Sequence, residues 1–173
     1  MNYIGKSVPR VDAVAKVKGE AVFASDMTMP NQAYMKMLLA RRSHAIVKRV
    51  DVTKARAVPG VLLVLTSADV PTNEFGYYTY DQPVLCGPCE KPFADRVRYV
   101  GDRVAAVVAE TEEIAKHACD LIEVEYEDLP IVTDMEEAAK PDAVLLHPDL
   151  DSNIFGHHKV INGDIEAGFK QAD

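Results

Sequence analysis

The tetrapeptide Cys86-Gly87-Pro88-Cys89 has the spacing of a dithiol that makes and breaks disulfides. Such a pair becomes reactive when its first cysteine lies at the N-terminus of a helix, because the helix dipole lowers the thiol pKa. Pro92 follows soon after, and proline disrupts a helix beyond its first turn. The sequence therefore favours a loop whose turn is set by Gly87-Pro88 over a thioredoxin-type centre. A disulfide between Cys86 and Cys89 can form if oxidant reaches the loop.

Zinc binding is a second function that a Cys-x-x-Cys pair can serve. Tetrahedral zinc needs four ligands, and one Cys-x-x-Cys pair supplies two of them. Cys119 falls on the apolar side of a helical pattern, which indicates a core position, and His157-His158 would point to opposite faces of a strand. No catalytic residue and no metal ligand is predicted. A thiol–disulfide oxidoreductase and a free-standing zinc or partner-binding module stay open as alternatives.

Three other groups of residues could do chemistry. His44 has no Ser-His-Asp setting around it and is interpreted as structural. Glu123, Glu125 and Glu127 alternate along a strand pattern, which is typical of a solvent-facing strand face. Tyr77, Tyr78 and Tyr80 lie in a long irregular region, residues 71–95, and long loops within domains are usually functional. These rings suit either packing as an anchor or stacking on a planar ligand.

Apolar patterning predicts the elements that must position these residues. A helix begins after Thr111, a good N-cap, and shorter helices begin after Asp134 and Asp164. The predicted strands are residues 20–25, residues 33–40 as a central strand, residues 45–52 near an edge, residues 61–65 as a buried strand, residues 104–109 and residues 121–128. Because strand pairs alternate with single helices, the fold class is α+β with a mixed sheet and a few short helices.

Composition limits the partners that the chain can have. The 173 residues carry a net charge of −8, which argues against nucleic acid or an anionic membrane as the main partner. Residues 1–56 have a net charge of +7 and residues 57–173 a net charge of −15, and we expect these two regions to interleave and neutralise each other. No apolar run approaches the ~20 residues of a membrane span. No signal peptide is recognised, and three cysteines suit the cytoplasm.

Several longer stretches together resemble the N-terminal α/β hammerhead domain of the large subunit of molybdenum hydroxylases, the xanthine dehydrogenase and aldehyde oxidase family. The stretches that carry this resemblance are IGKSVPRVDAVAKVKGEAVFASD, RRSHAIVKRVDVTKARAVPGVLLVLTSADVP, VRYVGDRVAAVVAET, IEVEYEDLPIVTD and GDIEAGFKQAD. The chain departs from the family at Arg42-Ser43, at Asp102-Arg103 and in the CGPCEKPFAD insertion. The resemblance covers nearly the whole chain.

Residues 1–19 are polar and show little periodicity, which predicts an extended arm. The resemblance implies a hammerhead domain over residues 20–146 and a linker over residues 147–173. The linker would lead into molybdenum-binding domains that hold the molybdopterin cofactor and the catalytic glutamate. The full protein would insert water-derived oxygen into an aromatic heterocycle or an aldehyde. Electrons would leave through [2Fe-2S] clusters and FAD on partner domains or subunits. In the family, the loop that corresponds to residues 75–85 approaches the substrate funnel, which implies that Tyr77 and Tyr78 line it.

Overall fold

A computed structural model describes residues 3–72, 74–77, 80–90 and 93–172 of the chain. The chain separates into two units, residues 1–33 and residues 34–173. The first contains helix α1 (Ala13–Lys18) and a 3-10 turn (Ala24–Asp26). In the second the elements are β1 (Tyr34–Leu39), β2 (Ala45–Asp51), α2 (Thr53–Arg56), β3 (Val61–Leu65), β4 (Glu74–Phe75), β5 (Gln82–Pro83), β6 (Arg96–Val97), β7 (Arg103–Ala109), α3 (Glu112–Asp120), β8 (Glu123–Asp128), α4 (Met135–Ala138) and α5 (Ile165–Gln171).

The second unit contains two antiparallel sheets of three strands and one short hairpin. We name the sheet with strand order β1-β7-β3 sheet A, and the sheet with strand order β6-β2-β8 sheet B. Strands β4 and β5 pair with each other and form the hairpin. This arrangement of small sheets and short helices confirms the predicted α+β class.

Sheet A packs one face against α3. Thr111 caps this helix, since its hydroxyl accepts a hydrogen bond of 3.2 Å from the Ile114 amide, and acidic residues occupy the first turn, where they suit the helix dipole. Small side chains then let the helix approach the sheet closely. The core between them is made of Val52, Ala55, Val64, Ala105, Val107, Ala109, Ala115, Ala118, Cys119 and Ile122. The helix predicted after Thr111 is confirmed.

Sheet B buries one face and exposes the other. Its apolar side contributes Ala45, Val47 and Val97 to a second cluster, together with Ala40, Cys86 and Val104. The pairing of β2 with β8 is irregular between Val47 and Arg49, so an extra residue, Lys48, lies in a bulge. Before the bulge, the buried residues Ala45 and Val47 flank the half-buried Ile46.

Residues 3–33 contain less regular structure than the second unit. Helix α1 ends at Gly19, which has a φ of +72° and occupies the left-handed conformation that glycine adopts without strain. The Asp26 carboxylate accepts a hydrogen bond of 2.9 Å from the Phe23 amide and closes the 3-10 turn. Residues 13–18 were expected to be extended and residues 20–25 to be a strand, so both of those predictions were wrong. The domain boundaries at residues 19 and 146 stay a prediction.

The structure also corrects the positions of three strands within their sheets. β1, predicted as central, is an edge strand, and β2, predicted near an edge, is central. β3, predicted to be buried, is an edge strand with Leu62 and Leu63 exposed. The bulge in β2 explains one of these errors, because it brings Lys48 and Arg49 to the surface in succession and breaks the alternation that marks a half-buried strand.

Candidate functional site

The thiol loop, residues 84–90, is held by backbone hydrogen bonds on both sides of its first cysteine. The Cys86 amide donates to the Arg103 carbonyl at 2.7 Å, and the Gly87 amide donates to the Ala94 carbonyl at 2.9 Å. Cys86 is fully buried within the cluster beneath sheet B. No helix begins in residues 84–90. The dipole that activates a redox dithiol is therefore missing from Cys86.

The surroundings of Cys86 oppose formation of its thiolate. Burial raises the pKa of the thiol far above its usual value, and the nearby charge of Asp102, which accepts a hydrogen bond from the thiol, raises it further. The charges of Arg98 and Arg103 act in the opposite direction but are outweighed. Because only the thiolate is a nucleophile, Cys86 is a structural donor and not an attacking group.

Asp102 joins this loop to both sheets. Its side chain is almost fully buried, with 4% of the residue exposed. One carboxylate oxygen accepts a hydrogen bond of 3.2 Å from the Arg98 amide, next to β6, and the other accepts one of 3.0 Å from the Arg103 amide, at the start of β7. No role was predicted for Asp102 from the sequence. The departure from the family pattern at Asp102-Arg103 was the signal that could have found this residue.

Arg98 extends the same cluster toward the C-terminal part of the chain. Its guanidinium donates to the Leu146 carbonyl at 2.9 Å and to the Phe93 carbonyl at 2.7 Å. Burial lowers the pKa of this guanidinium from its usual value. Asn153 holds the same segment from the other side, since its amide oxygen accepts a hydrogen bond from the Leu146 amide at 2.9 Å. Residues 144–153 are thus attached to the thiol loop.

Arg103 holds the base of the hairpin formed by β4 and β5. Its guanidinium donates to the Gln82 side chain at 3.1 Å and to the Pro83 carbonyl at 3.4 Å, and it stacks on the Phe75 ring at 4.6 Å from the centroid. Tyr77 and Tyr80 lie at the hairpin tip with 94% and 73% of their surfaces exposed. Tyr78 lies outside the described residues.

The remaining candidates are spread over the molecule. Cys89 is half-buried, and none of Cys86, Cys89 and Cys119 forms a disulfide. Cys119 is buried on α3, and its thiol donates to the Lys36 carbonyl at 3.6 Å. His44 is buried with its Nδ1 2.8 Å from the Pro130 carbonyl oxygen, as a structural histidine would be. His157 and His158 are exposed. In the ranges that the structure describes, no three His, Cys, Asp or Glu side chains converge to hold a metal ion.

The acidic stripe on β8 is solvent-exposed, as predicted, and each of its carboxylates has a basic partner. Glu123 pairs with Lys54, Glu125 with Arg49 at 2.9 Å, and Glu127 with Lys48. Among the described residues, further pairs join Arg42 to Asp128, Lys36 to Glu112 and Arg56 to Asp69. Each of these six pairs joins a basic residue between positions 36 and 56 to an acidic residue of the region 57–173, so the expected neutralisation occurs for that part of the basic region.

Comparison with known proteins identifies the family. The family described as "Aldehyde oxidase and xanthine dehydrogenase, a/b hammerhead domain" matches residues 18–130. The chain belongs to this family, which confirms the resemblance found in its sequence. None of the described helices is long and apolar enough to cross a membrane.

Individual relatives support the same assignment. The chain is 44% identical over 95% of its length to a probable xanthine dehydrogenase subunit of Bacillus subtilis, and 36% identical over 98% to the large molybdopterin subunit of nicotinate dehydrogenase from Eubacterium barkeri. It spans only 21% and 38% of those proteins. Among solved structures, an aldehyde oxidoreductase from Desulfovibrio gigas is 33% identical with a TM-score of 0.68, over 82% of this chain and 16% of that one.

The described residues around Cys86 and Asp102 do not suit a molybdenum cofactor. The cysteine of the central cluster, Cys86, is fully buried, and its thiol donates to Asp102. The carboxylate of Asp102 is occupied by the Arg98 and Arg103 amides. A metal or a pterin would have to break these bonds to gain a ligand. Cys86 and Asp102 therefore act as structural residues and not as cofactor ligands.

Proposed function

We propose that the chain is a scaffold domain in the large subunit of a molybdenum hydroxylase. The full protein hydroxylates an aromatic heterocycle or an aldehyde with oxygen derived from water. Its molybdopterin lies in other domains of the polypeptide, and its electrons leave through [2Fe-2S] clusters and FAD on partner domains or subunits. The family match over residues 18–130, together with the small share of each relative that the chain spans, is the observation that carries this proposal. We place the protein in the cytoplasm.

Metal analysis and activity of the full large subunit, purified with its partners, test this function. Molybdenum at about one atom per subunit, and dye reduction with a purine, a nicotinate or an aldehyde, are the expected results. Incorporation of ¹⁸O from labelled water into the product would identify hydroxylation. A purified complex that contains no molybdenum and oxidises none of these substrates would refute the proposal.

The hairpin formed by β4 and β5 is the part of this domain that we assign to the substrate funnel, through Tyr77 and Tyr78. Arg103 fixes the base of this hairpin, and the exposed ring of Tyr77 lies at its tip, where it can meet a planar substrate. In the full complex, Tyr77→Ala and Tyr78→Ala should each change kcat/KM by about 2- to 10-fold, the loss of one stacking contact. Tyr3→Ala, at a tyrosine outside the hairpin that is 74% exposed, is the control. An unchanged substrate profile in both hairpin variants would exclude them from the funnel.

The environment of Cys86 counts against the alternative of a thiol–disulfide enzyme, because its buried thiol has a raised pKa. An insulin-reduction assay on the chain should therefore show no activity above that of a Cys86→Ala variant. A disulfide between Cys86 and Cys89 requires the Cys86 thiol to leave Asp102, so we expect it only after prolonged exposure to oxidised glutathione. Peptide mapping without reduction would detect it.

A further inference from the structure

Sheet A has two apolar faces, of which one is covered. Residue register places three side chains side by side in each of two rows, because directly paired residues on neighbouring strands project to the same side. The rows on the face opposite α3 are Met35, Val108 and Leu63, and then Met37, Ala106 and Leu65. Neither row contains a charged or polar residue. We name these six residues the outer face of sheet A.

The outer face is open to solvent at its first row. Met35 is 60% exposed and Leu63 is 49% exposed, while Leu62, in the irregular pairing beside them, is 58% exposed. On the opposite face of sheet A, Val64 and Val107 lie in the core with α2 and α3. The helices of the described chain that contact these strands are therefore on the covered side.

The sequences of these strands are those of a sheet that is covered on both sides. A strand with one solvent-exposed face alternates apolar and polar residues, whereas a strand that is buried on both faces has a continuous run of apolar residues. VLLVL in β3 and VAAVVA in β7 are such runs. The sequence thus predicts a second cover for sheet A. Among the described residues, the first row of the outer face is the part that lacks it, whereas Ala106 in the second row is 4% exposed. Apolar sheet faces are stable when another layer packs on them.

The size of the outer face decides between two possible covers. Two rows across three strands span roughly 14 Å by 14 Å, about 200 Å², since strands lie about 4.8 Å apart and same-face residues about 7 Å apart. A stable association between separate proteins buries about 800 Å² on each partner. A second copy of the chain, using this face alone, would thus be too weakly held. A layer of the same polypeptide needs no such area, because the covalent connection already holds it near the sheet. The chain spans only 21% and 38% of the two relatives, which leaves room for such a layer.

We propose that the outer face of sheet A is the surface on which the rest of the large subunit packs, through an uncharged, aliphatic layer of its own. This inference rests on the proposed function, because it takes the molybdenum-binding domains to be part of the same polypeptide. The two sheets then have different roles. The outer face of sheet A contacts another protein layer, whereas the exposed face of sheet B, which carries the ion pairs of β8, faces solvent.

The test compares Leu63→Glu with Met135→Glu, a matched change at an apolar residue on α4 that is 84% exposed. In the full large subunit, Leu63→Glu should lower the melting temperature by about 5 °C or more, while Met135→Glu leaves it unchanged. In the 173-residue chain alone, each variant should lower it by no more than about 3 °C. Equal melting temperatures for the two variants in the full subunit would overturn the proposal.

A labelling experiment covers the case in which Leu63→Glu prevents folding of the full subunit. Leu63→Cys should react with a maleimide at least about 10-fold more slowly in the full subunit than in the chain alone, as expected for a protected site, whereas Met135→Cys should react equally in both. Equal rates at residue 63 would overturn the proposal. Dimerisation of the chain alone that Leu63→Glu abolishes would instead identify a second copy as the cover.

Failure of this inference can be told apart from failure of the proposed function. A wild-type subunit that binds molybdenum but leaves residue 63 unprotected would retain the function and lose the docking surface. A wild-type subunit that protects residue 63 but contains no molybdenum would retain the docking surface and lose the function.

Discussion

Sheets A and B have the same number of strands and the same antiparallel pairing, but their second faces differ. The outer face of sheet A is wholly apolar, while sheet B carries a row of carboxylates, each paired with a lysine or an arginine. Both sheets bury their first face in a core of small aliphatic side chains. The two second faces therefore differ in the surroundings that suit them: the apolar face suits contact with another protein layer, whereas the charged face suits contact with water.

The strongest test of this comparison uses two neighbouring residues of β3. Val64→Asp should destabilise the isolated chain by about 4 kcal/mol or more, because it buries an unpaired charge in the core under α3. Leu63→Asp should cost about 1 kcal/mol or less, because that side chain projects from the outer face. Urea unfolding followed by circular dichroism measures both. Similar losses in the two variants would show that the outer face is already covered within this chain.

Asp102 connects the two sheets, so its removal should loosen both. Asp102→Ala leaves the Arg98 and Arg103 amides and the Cys86 thiol without their acceptor, and we expect a loss of about 2–3 kcal/mol. Asp142→Ala, at an exposed aspartate, is the control. The free energy of unfolding in urea gives both values. If Asp102→Ala unfolds no more easily than Asp142→Ala, the carboxylate does not join the sheets.

Gly87 tests how closely the thiol loop packs on the end of sheet A. A Cβ at this position would lie 2.1 Å from the Ser67 hydroxyl and 2.7 Å from its Cβ. Gly87→Ala should therefore cost about 1–3 kcal/mol, and adding Ser67→Gly should recover most of the loss. Gly156→Ala, where a Cβ meets nothing within 4 Å, is the control. A double variant no more stable than Gly87→Ala would place the strain elsewhere.

Because of Cys86, the free energy of unfolding should depend on pH in the alkaline range. The folded protein keeps the thiol proton because the pKa is raised, whereas the unfolded chain releases it above about pH 8.5. Stability is therefore complete below that pH and falls as the pH rises, by about 1 kcal/mol over the first unit. Urea unfolding at pH 7.5 and 9.5 should show this loss in the wild type and a smaller loss in Cys86→Ala. Identical pH profiles would mean that the thiolate is tolerated.

The ion pairs of sheet B should give the smallest effect. Glu123 holds the pKa of Lys54 above its usual value, but both side chains are exposed, and surface pairs contribute little. Lys54→Ala should change the melting temperature only slightly, and the change should vanish in 1 M salt because salt screens exposed charges. A large loss that persists at high salt would show that this face is buried against something.

Local signals in the sequence predicted the parts of the fold that depend on nearest neighbours. Thr111, Asp134 and Asp164 cap their helices as predicted, because an N-cap is satisfied by amides two or three residues away. The alternation of acidic and apolar residues in β8 correctly predicted its solvent-exposed face. The family was predicted from motifs spread along the chain.

Properties that depend on distant pairing were not predictable. Whether β1 or β2 is central follows from their partners β7, β6 and β8, which the local pattern does not reveal. Asp102 was missed as a connecting residue because its role depends on contact with Cys86, 16 positions earlier in the chain. Residues 20–25 contained a strand-like run, but the Asp26 carboxylate closes a turn at their end.

Arg103 holds the base of the β4–β5 hairpin, so the hairpin tip, residues 76–81, is not needed to attach the hairpin to sheet A. Arg103 belongs to β7, the middle strand of sheet A, and reaches across to Phe75 on one arm of the hairpin and Gln82 on the other. Residues 76–81 can therefore change in length or composition while both ends stay anchored to the most buried strand in the domain. Under the funnel role proposed above, an exchange of a few residues at the tip would alter substrate preference while Arg103 keeps the base of the hairpin in place.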